Sequence, residues 1–265
     1  MKPNDTAWKA VFDKYHIHRH DFDTAPFLLD SGKIKEATKH FTATSQREVR
    51  ILCKQDTRES RPLVFQENGL FILPVKNGKY VIIKGEGYVD IPTIDETEER
   101  YDSKIDFQLV TSRVGSSEMQ YLDFAYAASL IRTFAEDDSL VLTIRGRKYT
   151  PRFNFFVGNY DITVESVQTE VDAGYEGRNQ VVLVEAKGGK STNTIIRQLY
   201  YPFRQWMHHI KEAGLSKPVY TIFFEKRDNE YSLWQFKFNQ EDNYNSIELV
   251  RSNKFRIINK NGLSQ

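Results

Sequence analysis

The sequence predicts a mixed α/β (α+β) protein made of a smaller N-terminal α+β domain, residues 1–112, and a larger domain, residues 113–265. Three observations carry that prediction. In the first part, a helical start is followed by two β-rich runs joined through Asn77-Gly78, a strong hairpin signal. After residue 113 the order is helix, β-meander, helix and further strands, which suits a mixed sheet flanked by helices. Between the two parts lie the charged IDETEERYDSKID (Ile94 to Asp106) and the polar TSRVGSSE, few of whose residues suit a core.

Taken in order, Ala7 to Tyr15 and Lys33 to His40 read as helices, and LFILPV (70–75), KYVIIKG (79–85) and YVDI (88–91) as strands. EMQYLDFAYAASLIRTF reads as one helix, because Met119, Leu122, Tyr126, Leu130 and Phe134 recur near the helical period. LVLTIRG, FNFFVG, YDITVESVQTEVDA and QVVLVEAK read as strands. A second helix follows in NTIIRQLYYPFRQWMHHIKEA, with Pro202 expected to kink or split it, and then the strands VYTIFFEK and YSLWQFKF.

Composition narrows the function. With 40% apolar and 28% charged residues, and no apolar run of about 18 residues, the chain reads as globular rather than membrane-spanning or disordered. The charged start, MKPNDTAWKAVFDKY, lacks an apolar signal core, so the expected location is cytoplasmic. The single Cys53 excludes a disulfide framework and a cysteine-based zinc site, and reads as a buried thiol. A net charge of +1 gives no overall footprint for nucleic acid, but the charge is uneven. From Lys33 to Arg61 there are eight basic residues (Lys33, Lys35, Lys39, Arg47, Arg50, Lys54, Arg58, Arg61) against four acidic ones. His16, His18 and His20 alternate in HIHRHDF without a second ligand group nearby, and read as a surface or DNA-facing patch rather than a metal site.

The segment TEVDAGYEGRNQVVLVEAKGG carries the chemistry. Glu185 and Lys187, two apart on a strand, project from one face. If the preceding strand pairs antiparallel across the intervening turn, Asp172 comes to the same edge. Asp172, Glu185 and the Ala186 backbone carbonyl then form an oxygen-rich pocket suited to Mg²⁺. Lys187 is the candidate to orient or deprotonate a water and to offset growing negative charge. Glu170 is a further ligand or an exposed charge. Glu and Lys two apart on a strand commonly mark only a solvated face. Here the apolar run Val181–Val184 before them suits a central strand, and Gly188 and Gly189 after them leave room for a phosphate backbone. The next helix sets Arg197, Tyr201, Arg204 and His208 in one expected polar stripe.

In these residues the sequence resembles the PD-(D/E)XK nuclease superfamily, and within it the type II restriction endonucleases, over roughly residues 116–240. The elements are Glu118 on the opening helix, Asp172, Glu185 and Lys187 in the strands, and Gln198 in RQLYYPFR. The resemblance implies a restriction-endonuclease-like core in which Asp172 and Glu185 hold Mg²⁺, Lys187 assists the water, and Glu118 is an added ligand or water contact. Val171 stands where that family often has proline, and Pro202 stands where a tyrosine would complete a glutamine–tyrosine pair with Gln198.

The implied partner is double-stranded DNA, cut by a homodimer if the site is palindromic, alongside a DNA methyltransferase. The N-terminal part loosely resembles the accessory domain of some restriction enzymes. On that reading Arg47, Arg50, Lys54, Arg58 and Arg61 lie near phosphates or base edges, and Arg145 and Arg147 line the same cleft. Two alternatives stay open: a repair or mobile-element nuclease of the same fold, and a catalytically silent DNA-binding protein.

Overall fold

The computed structural model describes residues 2–107, 109–111 and 117–258. The N-terminal unit begins with α1 (Pro3–Lys14), where Pro3 occupies the first turn, in which a missing N–H costs nothing. Ala7, Trp8, Val11 and Phe12 form its buried stripe, and the Trp8 indole donates to the Leu52 carbonyl at 3.0 Å. There follow β1 (Phe27–Asp30), α2 (Ser31–Thr38), the short α3 (Thr44–Arg47), α4 (Val49–Leu52) and α5 (Leu63–Glu67). The strands β2 (Leu70–Lys76) and β3 (Lys79–Lys84) form the expected hairpin, with Gly78 at φ +71°, and β1 completes an antiparallel sheet of order β1-β3-β2.

The second unit comprises β4 (Tyr88–Asp90), β5 (Glu99–Asp102), α6 (Glu118–Ala127), α7 (Leu130–Phe134), β6 (Val141–Tyr149), β7 (Phe153–Val157), β8 (Tyr160–Val164), β9 (Gln168–Glu176) and β10 (Val181–Lys187). It continues with β11 (Asn193–Ile195), α8 (Arg197–Glu212), β12 (Val219–Arg227), β13 (Glu230–Phe238) and β14 (Ile247–Ile258). A mixed seven-stranded sheet of order β5-β14-β13-β12-β10-β9-β6 is its frame, with β10 and β12 parallel. The chain is thus mixed α/β, with helices on both faces of the sheet. On one face α6 and α7 pack Leu122, Ala125, Leu130 and Ile131 against Ala173, Val182, Val184 and Ile222. On the other, Tyr200, Tyr201 and Phe203 of α8 meet Val171, Val181 and Leu183.

Several elements differ from expectation. The run 118–134 is two helices, broken where Ser129 takes φ +71°. Pro202 does not split α8: the helix runs unbroken over sixteen residues, held by the buried neighbours Tyr200, Tyr201 and Phe203. The run 160–173 is two strands separated at Ser166, and β7 with β8 forms a hairpin outside the main sheet. The short β11 and the long β14 have no clear counterpart in the sequence pattern.

The two units share a core. Phe71, Leu73, Val81 and Ile83 of the hairpin pack with Ile144, Phe155, Tyr201 and Tyr244, and β4 pairs antiparallel with β11. The sheet of the second unit also reaches back before the expected boundary at 112, a residue outside the described ones, because β5 pairs parallel with β14 and buries Tyr101.

Candidate active site

The ladder between β9 and β10 fixes what the sequence left open. Val181 stands opposite Glu176 and Val184 opposite Ala173, where the ladder ends, so Asp172 comes next to the end of β10 that carries Glu185. On β10, Val182, Val184 and Ala186 face the α6–α7 side, while Val181 and Leu183 face α8. By alternation Glu185 and Lys187 share the α8 face. A bulge sits at the same place: Asp172 and Ala173 of β9 stand against the single Arg145 of β6. Bulges of this kind re-aim side chains beside functional sites. Nearby Gly174 is required by close approach, since a Cβ there would lie 2.7 Å from the Ile144 Cβ.

Asp172, Glu185 and Lys187 come together with two further groups. The Ala186 amide donates to Asp172 Oδ2 at 2.8 Å, and Lys187 Nζ donates to Glu185 Oε1 at 2.5 Å. Gln198 Nε2 donates to that same Glu185 oxygen at 2.7 Å, while its own Oε1 accepts from the Thr194 hydroxyl at 2.9 Å. Glu118 Oε1 accepts from the Gly188 amide at 2.8 Å, which sets the helix α6 carboxylate beside the end of β10. Glu185 is only 9% exposed. Burial pushes its carboxyl up to about 7 against the pull of Lys187. Burial also raises Asp172, opposed by the Ala186 amide and Lys187 and helped by Glu118 and Glu170. For Lys187 burial works against the charge, but Glu185, Asp172 and Glu118 together outweigh it and leave the ammonium above its ordinary range.

Three carboxylates therefore face one ammonium in a half-buried place. Among the described residues, Asp172 Oδ1 and Glu185 Oε2 accept no hydrogen bond. This surplus of hard oxygen donors fits a divalent cation such as Mg²⁺, which is commonly held by one or two carboxylates and keeps several waters. Among the described residues, no group of three or more His, Cys, Asp or Glu side chains is placed to hold a metal ion, so Asp172 and Glu185 stand as a pair. Glu170 lies along the groove but pairs with Arg147 at 3.2 Å, and the contact seen at Ala186 is through its amide.

The centre opens into a groove of about 900 Å³ between the two units. Arg50 of α4, Lys54 just after it and Lys76 of the hairpin line one side, with Arg147, Arg197, Gln198 and Tyr201 on the other. Other expected DNA contacts sit elsewhere. Arg58 bonds Asp90 and the Tyr88 carbonyl, and Arg61 bonds the Arg58 and Leu70 carbonyls, so both guanidinium groups knit the chain internally. Arg47 is exposed outside the groove, and Arg145 pairs with Asp123. The polar stripe on α8 is corrected as well. Arg204 is 9% exposed and bonded to the carbonyls of Asn154 and Glu241, and Tyr201, at 1%, donates to Pro74 O. The packed face of α8 takes in both, because the N-terminal hairpin and β7 cover it. Cys53 lines the groove wall, and burial pushes its thiol up to about 12, which disfavours the thiolate.

Sequence reading missed Asp56, Asn193 and Thr194. Asp56 approaches Arg197 at 3.8 Å from across the groove. Only the four-residue spacing from Thr194 to Gln198 hinted at their contact.

Residues 83–256, well over half of the chain, match the family described as Domain of unknown function (DUF6997). The chain belongs to that family. Residues 5–82 match a second one, Domain of unknown function (DUF6996). The DUF6997 stretch holds Glu118, Asp172, Glu185, Lys187 and Gln198, while Arg50, Lys54 and Lys76 of the groove come from the DUF6996 stretch. No curated protein and no solved structure matches the chain. No helix of the described residues is long and apolar enough to cross a membrane.

Proposed function

We propose that the chain is a Mg²⁺-dependent endonuclease of the PD-(D/E)XK superfamily. It hydrolyses phosphodiester bonds of double-stranded DNA at specific sites, as a type II restriction enzyme does. The observation that carries the reading is the end of the β9–β10 ladder, where Asp172 accepts from the Ala186 amide beside the Glu185–Lys187 pair, at the edge of a groove bearing Arg50, Lys54, Arg147 and Arg197.

Asp172 and Glu185 would hold the cation, with Glu118 near enough to bear on the charge of both Asp172 and Lys187. The cation, when bound, activates a water and offsets charge on the phosphorane. Gln198 fixes the direction of the Glu185 carboxylate by donating to one oxygen and leaving the other free. Lys187, held beside Glu185, is placed to orient the attacking water or take its proton and to stabilise developing negative charge; the carboxylates that raise its affinity for the proton favour the first and last of these. Arg50, Lys54 and Arg147 supply phosphate contacts along the groove. A dimer that matches palindromic sites, and action alongside a DNA methyltransferase, belong to the same proposal.

The test is cleavage of a large, fully sequenced DNA by the wild type and Lys187→Ala, each with Mg²⁺ and with chelator. Discrete fragments from wild type with Mg²⁺ alone are expected. A smear would point to a repair-type nuclease. Retained DNA binding without cutting under any condition would overturn the catalytic reading.

A further inference from the structure

One contact between the units lies next in the strand to Thr194, the residue that bonds Gln198. Asn193, in β11 and 3% exposed, gives all of its side-chain polar atoms to its surroundings. Its Nδ2 donates to both carboxylate oxygens of Glu59, at 3.1 and 3.0 Å, and to the Thr192 hydroxyl, and its Oδ1 accepts from the Arg58 amide at 2.7 Å. Glu59 and Arg58 belong to the turn Arg58–Ser60 of the N-terminal unit. The same strand is held again where the Ile195 amide donates to the Asp56 carbonyl at 2.8 Å. Successive side chains of a strand point to opposite sides, so Thr194 turns away from that turn and toward the active site.

Thr194 is 2% exposed, and its hydroxyl donates to Gln198 Oε1 at 2.9 Å. The Glu185 carboxylate sets the orientation of the amide: the NH₂ group faces it at 2.7 Å, whereas the flipped amide would put a carbonyl oxygen against it. Gln198 Oε1 is thereby turned to Thr194, whose hydroxyl holds it in place. Glu59 is therefore linked to Glu185 through Asn193, one peptide bond, Thr194 and Gln198, across the boundary between the two family stretches.

We propose that Asn193 and Thr194 are positioning residues through which the docked N-terminal unit orients Gln198 against Glu185, so that the cation site is complete only when the two units are joined. The inference rests on the nuclease reading and deepens it. Residues that act on a metal ligand from outside it typically change metal affinity or activity by about 10–100-fold.

The experiment uses the full chain, with Thr194→Val, Thr194→Ser, Asn193→Ala and Glu59→Gln beside wild type. Mn²⁺ affinity is measured by calorimetry well below each melting temperature, and kcat and KM for DNA cleavage are measured separately. Thr194→Val keeps the shape and removes only the donor. It is expected to weaken Mn²⁺ binding and lower kcat by about tenfold or more with KM for DNA unchanged, and Thr194→Ser is expected to restore both. Asn193→Ala and Glu59→Gln should shift both in the same direction by a smaller factor. A purely structural role would lower melting temperatures and leave Mn²⁺ affinity and kcat at wild-type values, and that result overturns the proposal while leaving the nuclease reading intact. A wild type that binds no Mn²⁺ and cuts no DNA overturns the nuclease reading and this inference with it.

Discussion

In the presence of chelator, Glu185→Gln is expected to gain stability over wild type as pH rises from 5 to 8. An ordinary glutamate titrates near 4.5, and Glu185 in the folded chain near 7, with burial the main cause. The folded state thus binds this proton more tightly than the unfolded state. Its contribution to stability is fully present below 4.5 and is lost as pH rises through 7. A difference of about 2.5 units at about 1.36 kcal/mol each gives a loss on the order of 3 kcal/mol. Glutamine keeps the shape and cannot titrate, so the variant lacks this loss while sharing every other titration to first approximation. Lys187 stays protonated over the whole interval, because its affinity for the proton is raised. Thermal melts of both proteins at half-unit steps should therefore diverge, by roughly 5–10 °C at pH 8 relative to pH 5. Saturating Mg²⁺ should raise the wild-type curve most at high pH, where the carboxylate is ionised, and leave the variant nearly unmoved. Parallel melting curves in chelator from pH 5 to 8 would refute the reasoning, since they would mean that Glu185 is as well solvated or as fully paired folded as unfolded.

Replacing Arg50 and Lys54 together with alanine should weaken DNA binding and lower the slope of log K against log salt by about 2, whereas Arg61→Ala should leave that slope unchanged and lower the melting temperature; the reverse pattern would put the recognition face elsewhere. Gly174→Ala drives a Cβ to 2.7 Å from that of Ile144 and should cost about 1–3 kcal/mol in denaturant melts, so a neutral result would mean that β6 yields there freely.

How much of this was legible in the sequence depends on which physical signal each residue carried. The N-terminal hairpin was legible because Asn77-Gly78 is a local instruction, and β10 because Val181–Val184 can only be a buried run. The approach of Asp172 to the end of β10 was expected in kind but not in register, since the bulge in β9 at Asp172 and Ala173 is defined only against β6, a partner far upstream in the chain. The four-turn helix failed because Ser129, an unremarkable residue in a sequence pattern, takes a left-handed backbone. Charge misled most. Arg58, Arg61 and Arg204 look in sequence like Arg50, yet their guanidinium groups serve carbonyls and acids of the chain itself, and only tertiary packing separates the two uses. Gln198 was read as incomplete for want of a tyrosine four residues on. What it needed instead was Thr194 four residues before.

That packing also bears on whether the two family stretches fold apart. A boundary near 82 cuts through the shared core, because Phe71, Leu73 and Val81 lie on one side and Phe155, Tyr201 and Tyr244 on the other, all buried together. Removing the N-terminal stretch would uncover the apolar groups that these three side chains cover. At about 1.5–3 kcal/mol for each large side chain, the loss is roughly 5–9 kcal/mol, comparable with the whole stability of an ordinary domain. It would also strip β11 of its bonds to Asp56 and Arg58. A fragment spanning residues 83–265 is therefore expected to lack a cooperative thermal transition, and the full chain to unfold in one step, with calorimetric and van't Hoff enthalpies that agree. A fragment that melts cooperatively near the temperature of the full chain would show that the hairpin only rests on the second unit, and the N-terminal stretch would then be a separable module rather than one wall of a single groove.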